Sequence, residues 1–358
     1  MAPRALPELQ PGGRPGPGRW YRLSPRGERP RALVGLGCLV LPGRVLLLGG
    51  ADSARAFADA HFVELAPLRW VPAGWRGLRP RYEHATFLPG PGPGPPRLWV
   101  FGGAHPAGNR GCVQVLDPER GTWESPAVRG AQPQPRTFHT SSAAIGARLF
   151  VFGGGHRGAE PVRDQRLHVF DTATLTWSQP DTHGDPPSPR HGHAVVALGT
   201  RLYIHGGLAG GAFYNDLFCI DTDDMRWVKV PASGDVPGAR ASHSSAAFKD
   251  QLYIFGGMGP EGALDTTYKY DTGRQQWTLL QFELPLPAGR LDHAMCVIPW
   301  RAGPPEDTEP PVAGGDSAGP LPQGQGCAED SVVHLLLVFG GMDTQGQMHR
   351  DCLVTLIQ

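Results

Sequence analysis

Six short runs along the chain are apolar at nearly every position, and each run ends in a pair of glycines. A run of this kind predicts a β-strand that is buried on both faces, because a strand with one solvent face alternates apolar and polar residues. Counted from the first glycine of each pair, the intervals are 53, 51, 53, 50 and 84 residues. The six runs with their glycines are Val45–Gly50, Leu98–Gly103, Leu149–Gly154, Leu202–Gly207, Leu252–Gly257 and Leu336–Gly341.

Two further motifs repeat in register with the glycine pairs. A tryptophan follows the second glycine after 20 residues in four repeats and after 23 in the third, at Trp70, Trp123, Trp177, Trp227 and Trp277. An Arg-x-x-His motif then opens the next strand, at Arg81/His84, Arg136/His139, Arg190/His193, Arg240/His243 and Arg290/His293. Unrelated hairpins would not keep a constant spacing across three motifs, so the chain is built from one repeated unit.

Each unit contains four strands, labelled a to d. Strand a follows Arg-x-x-His, strand b ends in Gly-Gly, strand c follows, and strand d carries the tryptophan. Four strands in about fifty residues is the signature of a propeller blade. The sequence therefore predicts an all-β, six-bladed β-propeller with four-stranded antiparallel blades.

The sixth unit lacks a strand d at its own end. Strand c is present at Cys352–Leu356, but no tryptophan follows before Gln358. Trp20–Leu23 reads as a strand d, and Leu33 follows Trp20 by the normal thirteen residues. We therefore expect the N-terminal strand to complete the last blade, which removes two open sheet edges. Blade one has Leu33 and Leu36 where the other blades have Arg and His.

Composition delimits the domain. Residues 1–18, rich in Pro, Gly and Arg, predict a flexible tail before a propeller spanning 19–358. Within it, the acidic, Pro- and Gly-rich stretch of about 301–331 predicts a disordered insertion between strands a and b of blade six.

Charge and cysteine usage exclude several classes of protein. Thirty-three basic and 33 acidic residues give zero formal charge, which provides no general attraction to nucleic acid. The six scattered cysteines favour free thiols in a reducing compartment over a disulfide framework or a zinc site. The absence of a long apolar segment or a secretory signal predicts a cytoplasmic protein.

The repeats resemble kelch motifs, and longer strings resemble the kelch-motif effectors of a late-endosomal Rab GTPase. The resemblance runs from about Trp20 to the C-terminus and departs from the pattern in blade one, in the tail and in the insertion. The strings that carry it are Pro80–Ala85, Pro135–Gly146, Leu167–Asp171, Thr174–Pro180, Ile204–Gly210, Gly289–His293 and Val338–Met342.

This resemblance implies a non-catalytic protein without a cofactor that binds the GTP-loaded Rab. It further implies a role in vesicle transport from endosomes to the trans-Golgi network, with peripheral visits to endosomal membranes through partners. A phosphoinositide kinase is implied as a further partner.

The candidate contact residues fall into two groups. Repeated arginines such as Arg136 and Arg190 could grip acidic residues of a partner, although a residue repeated in every blade more often bonds backbone carbonyls. An asymmetric partner should use loops that differ between blades, and an exposed aromatic pair would suit an interface anchor. The loop candidates are Asn109, Arg110, His156, Arg157, Phe213 and Tyr214.

Two alternatives can be weighed against an adaptor. A kelch-type metal-dependent or sugar-active enzyme would use the propeller channel, but its clustered ligands are not visible in the sequence. His191 and His193 are the closest histidine pair, with no cysteine or carboxylate beside them. A ubiquitin-ligase receptor would need an added assembly domain, for which six blades leave no room.

Overall fold

The computed structural model describes residues 5–31, 33–90, 97–137, 144–157, 160–303 and 331–357, and these residues form a six-bladed β-propeller. Each blade is built on a four-stranded antiparallel sheet in the order a-b-c-d, and blade three has a fifth strand at its outer edge. The fold class predicted from the repeats is confirmed. No helix long and apolar enough to cross a membrane occurs among these residues.

The strands follow one another in chain order around the ring. The first strand is β1 (Trp20–Leu23). Blade one contains β2 (Gly37–Leu41), β3 (Arg44–Leu48), β4 (Ala60–Glu64) and β5 (Arg69–Pro72). Blade two contains β6 (Ala85–Phe87), β7 (Trp99–Phe101), β8 (Val113–Asp117) and β9 (Thr122–Glu124).

Blade three adds an edge strand and a small hairpin to the common pattern. It contains β10 (Arg129–Gly130), β11 (Ala144–Ile145), β12 (Arg148–Val151), β13 (Gly155–Arg157), β14 (Glu160–Pro161), β15 (His168–Asp171) and β16 (Thr176–Ser178). Strand β10 pairs in parallel with β16 on the outside of the blade, and β13 pairs with β14 in the loop between strands b and c.

Blades four and five also carry a hairpin in the b–c loop. Blade four contains β17 (Ala194–Leu198), β18 (Arg201–His205), β19 (Leu208–Ala209), β20 (Ala212–Phe213), β21 (Leu217–Asp221) and β22 (Arg226–Val230). Blade five contains β23 (Ser244–Phe248), β24 (Gln251–Phe255), β25 (Met258–Gly259), β26 (Gly262–Ala263), β27 (Thr267–Asp271) and β28 (Gln276–Leu279).

Blade six combines the two ends of the chain. It contains β29 (Ala294–Ala302), β30 (Ser331–Phe339), β31 (Cys352–Ile357) and β1, in that order across the sheet. Strand β1 pairs antiparallel with β31, with Trp20 opposite Thr355. The expected closure by the N-terminal strand is therefore present. Most of the predicted insertion, residues 304–330, lies outside the described residues.

The core is divided among the contacts between neighbouring blades. Each repeated tryptophan packs on the last residue of strand b in the preceding blade. The ring centroids are 5.1 Å apart for Trp20 and Phe255, and 5.2 Å apart for Trp70 and Phe339. An aromatic pair at this distance adds specific ring contacts to the burial of apolar area. The tryptophan spacing therefore reflects stacking between blades.

The glycine pairs link each blade to the next. The amide of the second glycine donates to a backbone carbonyl in the Arg-x-x-His segment of the following blade. The pairs are Gly50 with Arg81 (2.8 Å), Gly103 with Arg136 (3.1 Å), Gly154 with Arg190 (3.0 Å), Gly207 with Arg240 (2.8 Å), Gly257 with Arg290 (2.8 Å) and Gly341 with Leu33 (2.7 Å).

Close approach explains why the first position of the pair is glycine. At Gly256 the φ angle is +67°, and a Cβ atom there would lie 2.6 Å from the Arg290 carbonyl oxygen. Any side chain would be strained by the backbone conformation and would collide with the neighbouring blade.

The segment before β1 lies against blade six. Leu9 is buried, and its amide donates to the carbonyl of Arg22 at 3.0 Å. The indole of Trp300 donates to the Gly13 carbonyl at 2.9 Å, and the Arg14 guanidinium donates to the Gly303 carbonyl at 3.1 Å. These contacts connect Leu9, Gly13 and Arg14 to blade six, and the flexibility that the proline and glycine content predicts for residues 1–18 stays a prediction.

The cysteines in the described part of the chain are free thiols. Cys296 and Cys352 are buried, and Cys38, Cys112 and Cys219 are half-buried. Burial raises the pKa of Cys352 to about 12, so this thiol stays protonated at neutral pH.

Candidate functional site

The loops between strands d and a, together with those between b and c, form one rim of the propeller, here called the upper rim. It carries the Arg-x-x-His segments and every loop candidate named above. The opposite rim carries the a–b and c–d turns, in which an aspartate commonly caps the turn; the Asp117 carboxylate accepts from the Glu119 amide at 3.0 Å.

The repeated arginines are buried within their own blades. Each donates through Nη1 to the carbonyl of the first glycine of its blade. The acceptors are Gly102 for Arg81 (3.0 Å), Gly153 for Arg136 (2.9 Å), Gly206 for Arg190 (3.0 Å), Gly256 for Arg240 (3.0 Å) and Gly340 for Arg290 (2.9 Å). A guanidinium that bonds backbone carbonyls in every blade has an architectural role.

Arg136 and Arg190 are therefore removed from the candidate contact surface. Each is 1% exposed, so a partner cannot reach the guanidinium group. Arg136 also donates to the Gln134 carbonyl at 3.1 Å, and burial lowers its pKa to about 10. Arg190 forms an ion pair with Asp216 at 2.5 Å.

The histidines of the motif lie inside the ring. His193 Nε2 lies 3.0 Å from the Phe152 carbonyl, and His243 Nε2 lies 3.0 Å from Nδ1 of His205. His205 occupies the end of strand b, where four blades have Phe and one has Leu. Burial lowers the pKa of His205 to about 3 and holds that of His243 well below its usual value. Both rings are therefore neutral in the folded protein near pH 7. His139 lies outside the described residues.

Asn109 and Arg110 connect the loops of blade two to their surroundings. Asn109 Nδ2 donates to the carbonyls of Gly155 at 3.2 Å and His156 at 2.9 Å, which joins this loop to blade three. Arg110 Nε donates to the Pro80 carbonyl at 2.8 Å, and the residue is half-buried. His156 is exposed, and the backbone of Arg157 ends strand β13. Asn109 and Arg110 therefore lie in the b–c loop of blade two, next to His156 in the b–c loop of blade three.

Phe213 and Tyr214 lie in the b–c loop of blade four and are both half-buried. The Arg190 guanidinium lies 4.2 Å from the centroid of the Tyr214 ring. This stacking, together with backbone hydrogen bonds to Gly207 and Arg240, ties Tyr214 to the frame of the blade. Phe213 ends strand β20 opposite Leu208 and keeps part of its ring exposed.

The loop candidates form one continuous surface. The amide of Asn109 reaches the β13–β14 hairpin of blade three, and β14 contacts β19 of blade four. We call this surface, comprising the b–c loops of blades two, three and four, the loop arc. It differs from blade to blade in length and chemistry, which suits recognition of one asymmetric partner.

The central channel opens through a ring of residues that precede the motif histidines. Gly35, Glu83, Ser242 and Asp292 have positive φ angles and are joined by backbone hydrogen bonds, with the Gly35 amide donating to the Asp292 carbonyl at 2.9 Å and the Glu83 amide to the Gly35 carbonyl at 2.7 Å. The cavity below them has a volume of about 430 Å³. Glu83 and Asp292 were not predicted from the sequence as candidate site residues. Each directly precedes the histidine of an Arg-x-x-His motif, and the residue at this position differs from blade to blade.

The chemistry of this channel is limited. Burial raises the pKa of Asp292 to about 6, while a hydrogen bond from Ser242 lowers it. Thr137 Oγ1 donates to a Glu83 carboxylate oxygen at 2.9 Å. In the described part of the chain, no three His, Cys, Asp or Glu side chains lie close enough together to hold a metal ion.

A family model matches most of the propeller. The KLHDC2/KLHL20/DRC7 Kelch-repeats domain matches residues 44–257 and 95–302. Together the two matches cover more than half of the chain and five of the six glycine pairs.

Full-length relatives give a narrower family. The chain is 74% identical over 373 residues to the "Rab9 effector protein with kelch motifs" of Gallus gallus, with all of both chains covered. It is 56% identical to the Homo sapiens protein of that name, covering 99% of this chain and 100% of the relative. It is 52% identical to the Danio rerio protein, covering 98% and 99%. The printed names describe these relatives as effector proteins, and no residue of this propeller is assigned a catalytic role. The chain belongs to the family of Rab9 effector proteins with kelch motifs.

Proposed function

We propose that the protein is a Rab effector that binds Rab9 in its GTP-loaded state and carries no catalytic activity. The observation that supports this most directly is the 74% identity over the whole chain to a relative named as a Rab9 effector. In this proposal the protein acts in the cytoplasm and reaches endosomal membranes peripherally, through its partners. It supports vesicle transport from endosomes to the trans-Golgi network, with a phosphoinositide kinase as a further partner.

The loop arc is the surface that we propose for the Rab. Its exposed and half-buried groups include an imidazole at His156 and an aromatic ring at Phe213. Interfaces gain most of their binding energy from a few aromatic or arginine anchors surrounded by weaker contacts. Phe213 provides such an anchor, because it ends strand β20 in the b–c loop of blade four and is only half-buried.

The nucleotide dependence is tested by direct capture. Purified protein is immobilised and exposed to Rab9 loaded either with a non-hydrolysable GTP analogue or with GDP. We expect capture of the GTP-analogue form only, because an effector must distinguish the two states. Equal capture of both forms, or capture of neither, contradicts the proposal.

The proposed surface is tested with Phe213→Ala and His156→Ala. Loss of a hot-spot side chain weakens binding by about tenfold or more, so the double variant should bind Rab9 at least that much more weakly. The matched control is Val228→Ala, which truncates an apolar residue that is 50% exposed on the outer strand of blade four. Full binding by the double variant would exclude the loop arc and leave the effector role itself standing.

The transport role is tested in cells. Depletion of the protein should slow the return of recycling receptors from endosomes to the trans-Golgi network, and re-expression of the wild type should restore it. The double variant should fail to restore it when expressed at the same level. Restoration by that variant contradicts the link between the loop arc and transport.

A further inference from the structure

The closure of the ring creates a groove that none of the six repeats contains by itself. It lies on the upper rim where blade six meets blade one, and its volume is about 480 Å³. Its walls come from β1, from the segment that follows β1, from β5 and from the residues at the start of β31. The lining residues are Arg22, Leu23, Ser24, Pro25, Gly27, Arg29, Trp70, Arg350, Asp351 and Cys352.

Three of the arginines that line this groove are exposed. Arg22 belongs to β1, Arg29 to the following segment, and Arg350 to the segment before β31. Within the described residues, none of their side chains forms an ion pair, a side-chain hydrogen bond or a contact with an aromatic ring. Other exposed arginines do have partners, such as Arg69 with Glu64 at 2.6 Å.

The one acidic group in the groove is already neutralised. Asp351 accepts two hydrogen bonds from the buried Arg290, at 2.6 and 3.1 Å. Glu28, which lies in the same segment as Arg29, is not among the lining residues. The groove therefore presents the charge of three guanidinium groups to whatever enters it.

This charge and geometry fit a phosphomonoester. A phosphorylated side chain carries a charge of roughly −1.5 to −2 at neutral pH and has three acceptor oxygens. Guanidinium groups bind such oxygens through paired N–H donors. A single carboxylate has only two oxygens to share among three arginines. The exposed Ser24 hydroxyl adds a further donor.

A flat anionic surface fits the same site poorly. The outer edges of blades four and five and the b–c hairpin of blade five carry exposed carboxylates, which would repel a bilayer or a nucleic acid lying across these blades. These residues are Asp181, Asp185, Asp235 and Glu261. A single side chain entering the groove avoids this repulsion, since the groove itself is cationic.

We propose that the groove formed by Arg22, Arg29 and Arg350 binds a phosphorylated serine or threonine in an extended segment of a protein partner. The partner's phosphate oxygens contact the three guanidinium groups, and its neighbouring residues lie over the exposed Ser24 and the half-buried Pro25. This site is separate from the loop arc, and it exists only because β1 completes blade six.

The proposal is tested with a library of short peptides that carry a central phosphoserine between degenerate positions. Binding of the labelled library to the full-length protein is measured by fluorescence anisotropy, beside a library with serine at the centre. We expect the phosphoserine library to bind and the serine library to bind at least about tenfold more weakly, because charge-assisted hydrogen bonds are lost.

Substitutions then locate the site. The triple variant Arg22→Gln, Arg29→Gln, Arg350→Gln should lose binding by about a hundredfold or more, and the corresponding triple lysine variant should lose less, since charge is kept but the paired donors are not. The matched control is Arg76→Gln, an exposed arginine outside the groove, which should bind as the wild type does. Unfolding midpoints verify that all variants fold.

Three results would overturn the proposal. The first is failure of the wild type to bind the phosphoserine library. The second is binding that the triple glutamine variant retains. The third is binding only to phosphatidylcholine vesicles that contain a phosphatidylinositol monophosphate, with no binding to the peptides, which would assign the groove to a lipid head group. None of these outcomes depends on capture of Rab9.

Discussion

The amide of Gly341 donates a hydrogen bond of 2.7 Å to the carbonyl of Leu33, and this bond joins the last blade to the first. The same bond occurs at the other five boundaries, where the acceptor residue is arginine. Because the acceptor is the backbone carbonyl, the contact survives the exchange of arginine for leucine. Leu33 is 4% exposed and contributes its side chain to the core between blades six and one.

Replacement of Gly256 by alanine should destabilise the propeller by about 2 kcal/mol or more. The left-handed backbone strains any residue other than glycine, and the added methyl group meets the Arg290 carbonyl. Gly211→Ala is the control, since a Cβ atom there has no neighbour within 4 Å and the backbone is not left-handed. Chemical unfolding measures both variants, and equal midpoints would refute the role given to the glycine pair.

Replacement of Trp20 by alanine should cost about 3–5 kcal/mol of unfolding free energy. The side chain is 1% exposed and packs on Phe255 and Phe282, with ring centroids 5.1 and 5.6 Å away. The control is Tyr21→Ala, which truncates a half-buried neighbour in the same strand and should cost less. If denaturant unfolding shows no larger loss for Trp20, then β1 does not hold blade six closed.

Replacement of Arg190 by methionine should destabilise the fold by about 3 kcal/mol, because Asp216 is left as a partly buried and unpaired carboxylate. Adding Asp216→Asn should recover part of that loss. Capture of GTP-loaded Rab9 per folded molecule should be unchanged, since the guanidinium is 1% exposed. Titration calorimetry at a temperature where both variants are folded measures this, and a selective loss of binding would return Arg190 to the contact surface.

Replacement of His205 by phenylalanine should make stability less sensitive to acid. The pKa of His205 is about 3 in the folded protein and about 6.5 in the unfolded chain. As the pH falls below 6.5, the unfolded chain therefore binds a proton at this side chain and the folded protein does not. Stability is therefore lost as the pH falls through this window, by about 1.4 kcal/mol per pH unit for this residue.

The measurement is the unfolding free energy at several pH values between 7 and about 4. The His205 variant should show a shallower decline than the wild type, because phenylalanine occupies this position in four other blades and does not titrate. His183→Phe, at an exposed site on the outer edge of blade four, should decline as the wild type does. Parallel curves for wild type and His205→Phe would assign the acid sensitivity to other buried histidines.

The fold could be predicted from the sequence because its signals are local and repeated. A glycine pair, a tryptophan and an arginine recur at fixed spacing, and each contacts the same position of an adjoining blade. Even the role of Trp20 follows, because the thirteen-residue interval to Leu33 matches the other units.

Contacts that occur once could not be predicted in this way. The indole of Trp300 donates a hydrogen bond to the Gly13 carbonyl across 287 residues of sequence, and no repeated pattern predicts such a pair. The same holds for Arg22, Arg29 and Arg350, which share a groove only after the ring has closed. The loop arc could be predicted in part. Its residues could be chosen from the sequence because these loops differ between blades, but the hydrogen bond from Asn109 to His156 is visible only in the structure.

The pairing of β1 with β31 also affects how the protein is made. Thr355 donates to the Arg19 carbonyl at 2.7 Å, and the two residues are 336 positions apart. On the ribosome, β1 emerges before any blade is complete and must wait unpaired until β31 has been synthesised. The five inner blades can assemble in order during that time, but the ring cannot. Translation of the last strand is therefore the step at which an open stack of sheets becomes a propeller, and at which the groove of three arginines first exists.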